Sequence, residues 1–174
     1  DWSSDVCSSD LGGTFLLHVI TNDGRKIALD QRLANPCLPD DPNSKVNALM
    51  RNVYDIWERE ADRKGAQIVF CDLSTPKFNG EFNVYEDLKK KWVDKGIPAQ
   101  QIAFIHEAKN EKQKAAMFAK VRSGEIRIIL GSTYMMGSGI NIQDRLKAVH
   151  HADVGWKPAD MAQRDGRILR QGNK

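Results

Sequence analysis

The chain has 174 residues, 41% of them hydrophobic, with 26 Lys and Arg against 23 Asp and Glu for a formal charge of +3. That length supports one sizeable core, so a single domain is the first expectation. No apolar run approaches the roughly 18 residues that a membrane helix needs, so no membrane partner is expected, and the mild positive balance permits nucleic-acid binding without demanding it.

Residues 1–11, DWSSDVCSSDL, match no protein pattern and read as the translation of a common sequencing-adapter oligonucleotide. They are treated as an adapter-derived artefact and set apart from fold reasoning. Without Asp1, Asp5 and Asp10, 20 acidic residues face 26 basic ones and the balance becomes +6. Both ends are expected to be boundaries of a partial gene. Cys37 and Cys71 lie far apart without metal-ligand spacing, which points to a reducing, cytoplasmic setting.

Residues 12–42 read as a hairpin-like remnant and a linker. TFLLHVITNDGRKIALD (14–30) suggests two strands around Asn22-Asp23-Gly24, and LANPCLPDDPNS (33–44) is rich in Pro and Asp. Beyond it the pattern alternates. Residues 44–64 set Val46, Leu49, Val53 and Ile56 on one helical stripe, with Ser44 as cap and Gly65 as stop. QIVFC (67–71) is a strand, and 83–95 is a helix aligning Tyr85, Leu88 and Trp92 and ending at Gly96. QIAFI (101–105) is a second strand, 110–122 a helix carrying Ala115, Phe118 and Val121, and IRIIL (126–130) a third strand. KAVHHA (147–152) is the fourth, and a last helix starts at Pro158, a residue suited to a first helical turn. Continuous apolar strands alternating with helices predict an α/β fold, a doubly wound and mainly parallel sheet.

In such sheets ligands gather at the carboxyl ends of the strands, so the loops that follow them carry the functional candidates. GSTYMMGSGINIQDR (131–145) offers Gly137 and Gly139 for close backbone approach and Ser132, Thr133, Ser138 and Asn141 for phosphate or sugar oxygens; a plain tight turn has the same composition. The final segment QRDGRILRQGNK spaces its cations helically. At about 100° per residue, Gln163, Arg167 and Arg170 fall within about 60° of one another, with Arg164 beside that face near 100°. From spacing alone a solvated cationic face near a helix C-terminus is the favoured reading, with an anion-directed face the alternative. His150, His151 and Asp153 do not read as a metal site, because successive strand side chains face opposite ways. Trp156 suits packing under the last helix or stacking on a base. KKKW (89–92) suits a solvated helix face or a nucleic-acid contact.

STYMMGSGINI, then HHADVGWKP, then QRDGRILRQGN resemble, in that order, motifs V and VI of the superfamily-two helicases and the chromatin-remodeller-like DNA translocases. Residues 163–170 satisfy every fixed position of the motif Q-R-x-G-R-x-x-R, and QIVFCDLSTP resembles motif IV. The resemblance runs from 43 to 174 and is nearest to the helicase portion of very large bacteriophage and mobile-element proteins, some of which carry a DNA methyltransferase. It implies a helicase C-terminal domain over 43–174, the second RecA-like lobe of an ATP-dependent DNA helicase or translocase, truncated at its C-terminus.

By the same resemblance Arg167 and Arg170 are arginine fingers to the ATP γ-phosphate and Gln163 senses it or orients the attacking water. Gly137, Gly139 and Asn141 meet the nucleotide, although many relatives carry an aspartate at the Asn141 position. Thr133, Ser74 and Thr75 hold the DNA backbone. Arg164 stands where remodellers carry alanine and lies off the shared face, so Arg164→Lys is expected to be milder for turnover than lysine at Arg167 or Arg170. Neither a G-x-x-x-x-G-K-[ST] loop nor a D-E-x-[HD] box occurs. The resemblance therefore places the Mg²⁺ ligands on a first lobe of the same polypeptide, assigns no metal ligand to this chain, and leaves the chain by itself inactive as an ATPase. The alternative from another class is a non-catalytic nucleic-acid-binding or regulatory RecA-like module.

Overall fold

The computed structural model describes residues 7–76, 81–136, 142–155 and 158–166, with the backbone alone for 7–16, Asp160 and Gln163. In chain order the helices are α1 (Cys7–Leu29), α2 (Lys45–Arg59), α3 (Val84–Asp94), α4 (Glu111–Ser123) and α5 (Pro158–Asp165); the strands are β1 (Ala66–Phe70), β2 (Ile102–Phe104), β3 (Ile128–Gly131) and β4 (Leu146–His151). The four strands form one parallel sheet in the order β2-β3-β1-β4. Helices cover both faces, which gives the expected doubly wound α/β architecture.

Each helix begins and ends for a local reason. Ser44, Asn83 and Asn110 accept the backbone N–H three residues on, at 3.2, 2.9 and 2.9 Å, and so cap α2, α3 and α4. Gly124 closes α4 at φ +83°, a left-handed conformation that other residues adopt only with strain.

β1, β2 and β3 are buried along their whole length because both faces of the sheet are covered there, whereas β4, at an edge, is half-buried and carries Lys147, His150 and His151. On one face Val69, Leu130 and Phe104 meet Val46, Val53, Leu88 and Trp92 of α2 and α3; on the other Ile68, Phe70 and Ile129 meet Phe118 and Val121 of α4. Three long polar side chains in this core reach backbone carbonyls. Gln67 donates to the Val53 carbonyl at 3.0 Å, Tyr85 to the Cys71 carbonyl at 2.6 Å, and Trp92 to the Met50 carbonyl at 3.1 Å.

The hairpin expected around Asn22-Asp23-Gly24 is instead the C-terminal half of α1. An isolated two-stranded hairpin is marginal in water, whereas a helix lets Thr21 donate to the Leu17 carbonyl at 2.6 Å and Lys26 pair with Asp23 at 3.3 Å. Local bonding thus overrides the turn dipeptide. Leu29 at the end of α1 is buried against the core, while Leu17, Ile20 and Ile27 remain exposed.

Register decides what the sheet presents at its carboxyl edge. Phe70 lies beside Gly131 of β3 and beside His151 of β4. Two residues further along each chain come Asp72, Thr133 and Asp153, abreast of one another.

Candidate functional site

Asp72, Thr133 and Asp153 are joined by Arg164, which α5 lays across the strand ends. The Arg164 side chain is 0% exposed. Its Nε donates to Thr133 Oγ1 at 2.8 Å and one terminal nitrogen to the Asp153 carbonyl at 2.7 Å. The other terminal nitrogen donates to Asp72 Oδ2 at 2.7 Å and to Asp153 Oδ1 at 3.2 Å. Arg164 Cζ lies over the Phe70 ring, 5.1 Å from its centre, an arrangement that favours a cation.

The carboxylates are occupied from their other sides as well. Asp153 Oδ2 accepts the backbone N–H groups of Asp72 and Leu73 at 2.6 and 2.7 Å, and its side chain is 1% exposed. Asp72 accepts the Thr133 N–H at 2.6 Å and the Thr133 hydroxyl at 2.7 Å, and its side chain is 35% exposed. Two carboxylates therefore face one guanidinium, in a lattice tying β1, β3, β4 and α5 together. Planar, forked donors make this possible, since an ammonium is a point charge and cannot address three acceptors in one plane.

A second contact seats α5. His151 Nε2 lies 2.9 Å from Asp165 Oδ1, and the His151 ring stacks on Phe70 with centroids 6.1 Å apart. His150, one residue earlier, points to the opposite face and bonds Gln67 at 2.9 Å; burial, aided by the neighbouring His151, lowers its pKa to about 4. Burial pushes the Cys71 thiol upward, away from nucleophilic chemistry. Among the described residues no group of three or more His, Cys, Asp or Glu is arranged to hold a metal ion.

The candidates divide clearly. Thr133 sits in the lattice, half-buried, with its hydroxyl given to Asp72. Ser74 is buried, and its hydroxyl accepts the Val84 N–H at 2.9 Å, fastening the start of α3; Thr75 beside it is half-buried. Gln163 lies on α5, with only its backbone described. Gly137, Gly139, Asn141, Trp156, Arg167 and Arg170 lie outside the described residues.

Sequence reasoning gave no site role to Asp72, Asp153, Arg164 or Tyr134. Arg164, read as lying beside the cationic face, is fully buried at the centre of this lattice, where a lysine cannot reproduce its fork. Helical angle alone could not reveal this, because the acceptors follow strand ends 11 to 92 residues away in the chain. Tyr134, next to Thr133, is 90% exposed, unusual for so large an aromatic side chain.

A parallel four-stranded sheet flanked by helices on both faces is consistent with a RecA-like α/β fold. The family model described as "Helicase conserved C-terminal domain" matches residues 44–172, and the chain belongs to that family. Among solved structures, the crystal structure of the Pyrococcus furiosus Hef helicase domain is similar, with a TM-score of 0.49 and 18% identity over 77% of this chain. The chain spans about a quarter, 25%, of that structure's length. No curated protein matches the chain. Among the described residues no helix is long and apolar enough to cross a membrane.

Proposed function

We propose that the chain is the second motor lobe of an ATP-dependent DNA helicase or translocase, working with a first RecA-like lobe of the same polypeptide. The observation that carries this reading is the family match over 44–172, which takes in the segment Gln163–Arg170. The Arg164 lattice supports it, because it fastens α5 to the carboxyl edge of the sheet, where ligands of open α/β folds bind.

Arg167 and Arg170 act as arginine fingers, with charge that stays on at any working pH and a fork matched to phosphate oxygens. Gln163 orients water or senses the γ-phosphate, and Gly137, Gly139 and Asn141 line the nucleotide. Mg²⁺ belongs to the first lobe. The carboxylates at this edge, Asp72 and Asp153, already face a guanidinium and backbone N–H donors, a donor set that leaves them unsuited to a cation. The DNA backbone runs past Thr133 and Thr75, with Ser74 acting indirectly through α3. The source is a bacteriophage or mobile element, the setting the cytoplasm, and a fused methyltransferase an additional partner.

The test joins the chain to its upstream lobe and measures steady-state ATP hydrolysis with saturating DNA. Arg167→Ala and Arg170→Ala each lower turnover by about 10³ or more, the scale of a lost arginine finger, with DNA affinity little changed. Near-normal turnover in folded variants refutes the finger assignment and returns the arginines to solvated charge.

A further inference from the structure

We propose that Asp72 is an internal phosphate mimic: its carboxylate occupies, in the free lobe, the site that Thr133 and Arg164 build for a DNA phosphodiester, and must leave before DNA binds there. The inference rests on the assignment of Thr133 to the DNA backbone.

Three donors converge on the Asp72 carboxylate: the Thr133 N–H at 2.6 Å, the Thr133 hydroxyl at 2.7 Å and an Arg164 terminal nitrogen at 2.7 Å. A backbone amide, a hydroxyl and a guanidinium form the donor set that grips a phosphate oxygen pair, and a carboxylate accepts from it in the same forked geometry. The Thr133 hydroxyl has one hydrogen. While Asp72 Oδ2 accepts it, no phosphate can.

The two carboxylates of the lattice are not equivalent. Asp153 is 1% exposed and held by two backbone N–H groups as well as Arg164, so it remains as a permanent counter-charge. Asp72 is 35% exposed and is the second negative charge on a single guanidinium. Replacing it by a phosphodiester exchanges one negative charge for another, so Arg164 stays paired throughout and is never left buried alone. With Asp72 in place the same charge repels an approaching backbone. Tyr134, 90% exposed beside Thr133, gives the adjoining base a face to stack on, which favours single-stranded DNA over an isolated phosphate ion.

The experiment titrates a fluorescently labelled single-stranded oligonucleotide with the full 174-residue chain at two salt concentrations. The proteins are the native chain, Asp72→Asn, Thr133→Ala, the double variant, and Asp55→Asn on α2 as a control for net charge. Asp72→Asn tightens binding about tenfold, the worth of one freed charge-assisted contact, while Asp55→Asn stays within about twofold, as a screened distant charge should. Thr133→Ala costs little in the native chain but abolishes the gain in the Asp72→Asn background. Inorganic phosphate at equal ionic strength competes only weakly.

A gain that survives Thr133→Ala, or one no larger than that of Asp55→Asn, overturns the inference. If the native chain nevertheless binds DNA weakly and less so as salt rises, the motor-lobe reading stands without the cap. Absence of binding in every variant removes both. Thermal melting accompanies each protein, and Asp72→Ser replaces Asp72→Asn if the amide does not fold. Unfolding of both shows Asp72 to be a structural brace and overturns the inference as well.

Discussion

Arg164→Ala should be among the most damaging single substitutions in this domain. The side chain is 0% exposed and its removal leaves the Asp153 carboxylate, 1% exposed, with backbone N–H partners but no counter-charge. Breaking a buried pair by deleting one partner costs about 3–5 kcal/mol. Asp72 adds little to that figure, because at 35% exposure water can replace its partner. Arg164→Lys recovers only part of the loss. An ammonium on a flexible stem cannot meet Thr133 Oγ1, the Asp153 carbonyl and Asp72 Oδ2 together, and each lost hydrogen bond involving a charged group is worth about 1.5–3 kcal/mol. For a chain of this size each 1 kcal/mol moves the midpoint by about 2–4 °C, so Tm should fall by about 6–20 °C for alanine and by an intermediate amount for lysine. Urea unfolding with linear extrapolation and thermal melting both read the effect. A folded Arg164→Ala protein within about 0.5 kcal/mol of the parent, the ordinary range for a surface change, would refute the buried lattice.

Burial holds the His150 pKa at about 4 against an ordinary 6.5, so between those values the unfolded chain binds more protons; stability is complete above pH 6.5 and declines by at most about 2–3 kcal/mol as pH falls towards 4. His150→Asn should flatten that slope in urea titrations at pH 4.5 and 7, and parallel curves for the two proteins would contradict it. At Gly131 an added Cβ would lie 2.5 Å from Met136 Cγ and 2.6 Å from Ile105 Cγ2, so Gly131→Ala should cost about 1–3 kcal/mol by overpacking; an unchanged urea midpoint would mean that those side chains yield freely. Tyr134→Ala should leave Tm unchanged, yet weaken single-stranded DNA binding by an amount matching one stacked base, about 1–3 kcal/mol. Equal affinity of the two proteins would leave Tyr134 without a binding role.

Much of this architecture is legible in the residues alone, because strand and helix periodicity depend only on neighbours in the chain. QIVFC, QIAFI and IRIIL can be recognised as strands covered on both faces and KAVHHA as the fourth strand, and Ser44, Gly96 and Gly124 mark helix ends through their own backbone preferences. The failure at Asn22-Asp23-Gly24 has the opposite cause: a turn dipeptide states a local preference, and with no neighbouring strand to pair, the segment satisfies its backbone as a helix. The motif from Gln163 to Arg170 is likewise readable as a string, and so is the family it points to. What only the tertiary structure decided is the place of Arg164. Parallel register places Asp72, Thr133 and Asp153 abreast at the ends of three strands, and α5 drops Arg164 among them. A helical wheel placed Arg164 to one side because it measures angle about one axis, whereas burial and pairing depend on acceptors brought together from distant parts of the chain.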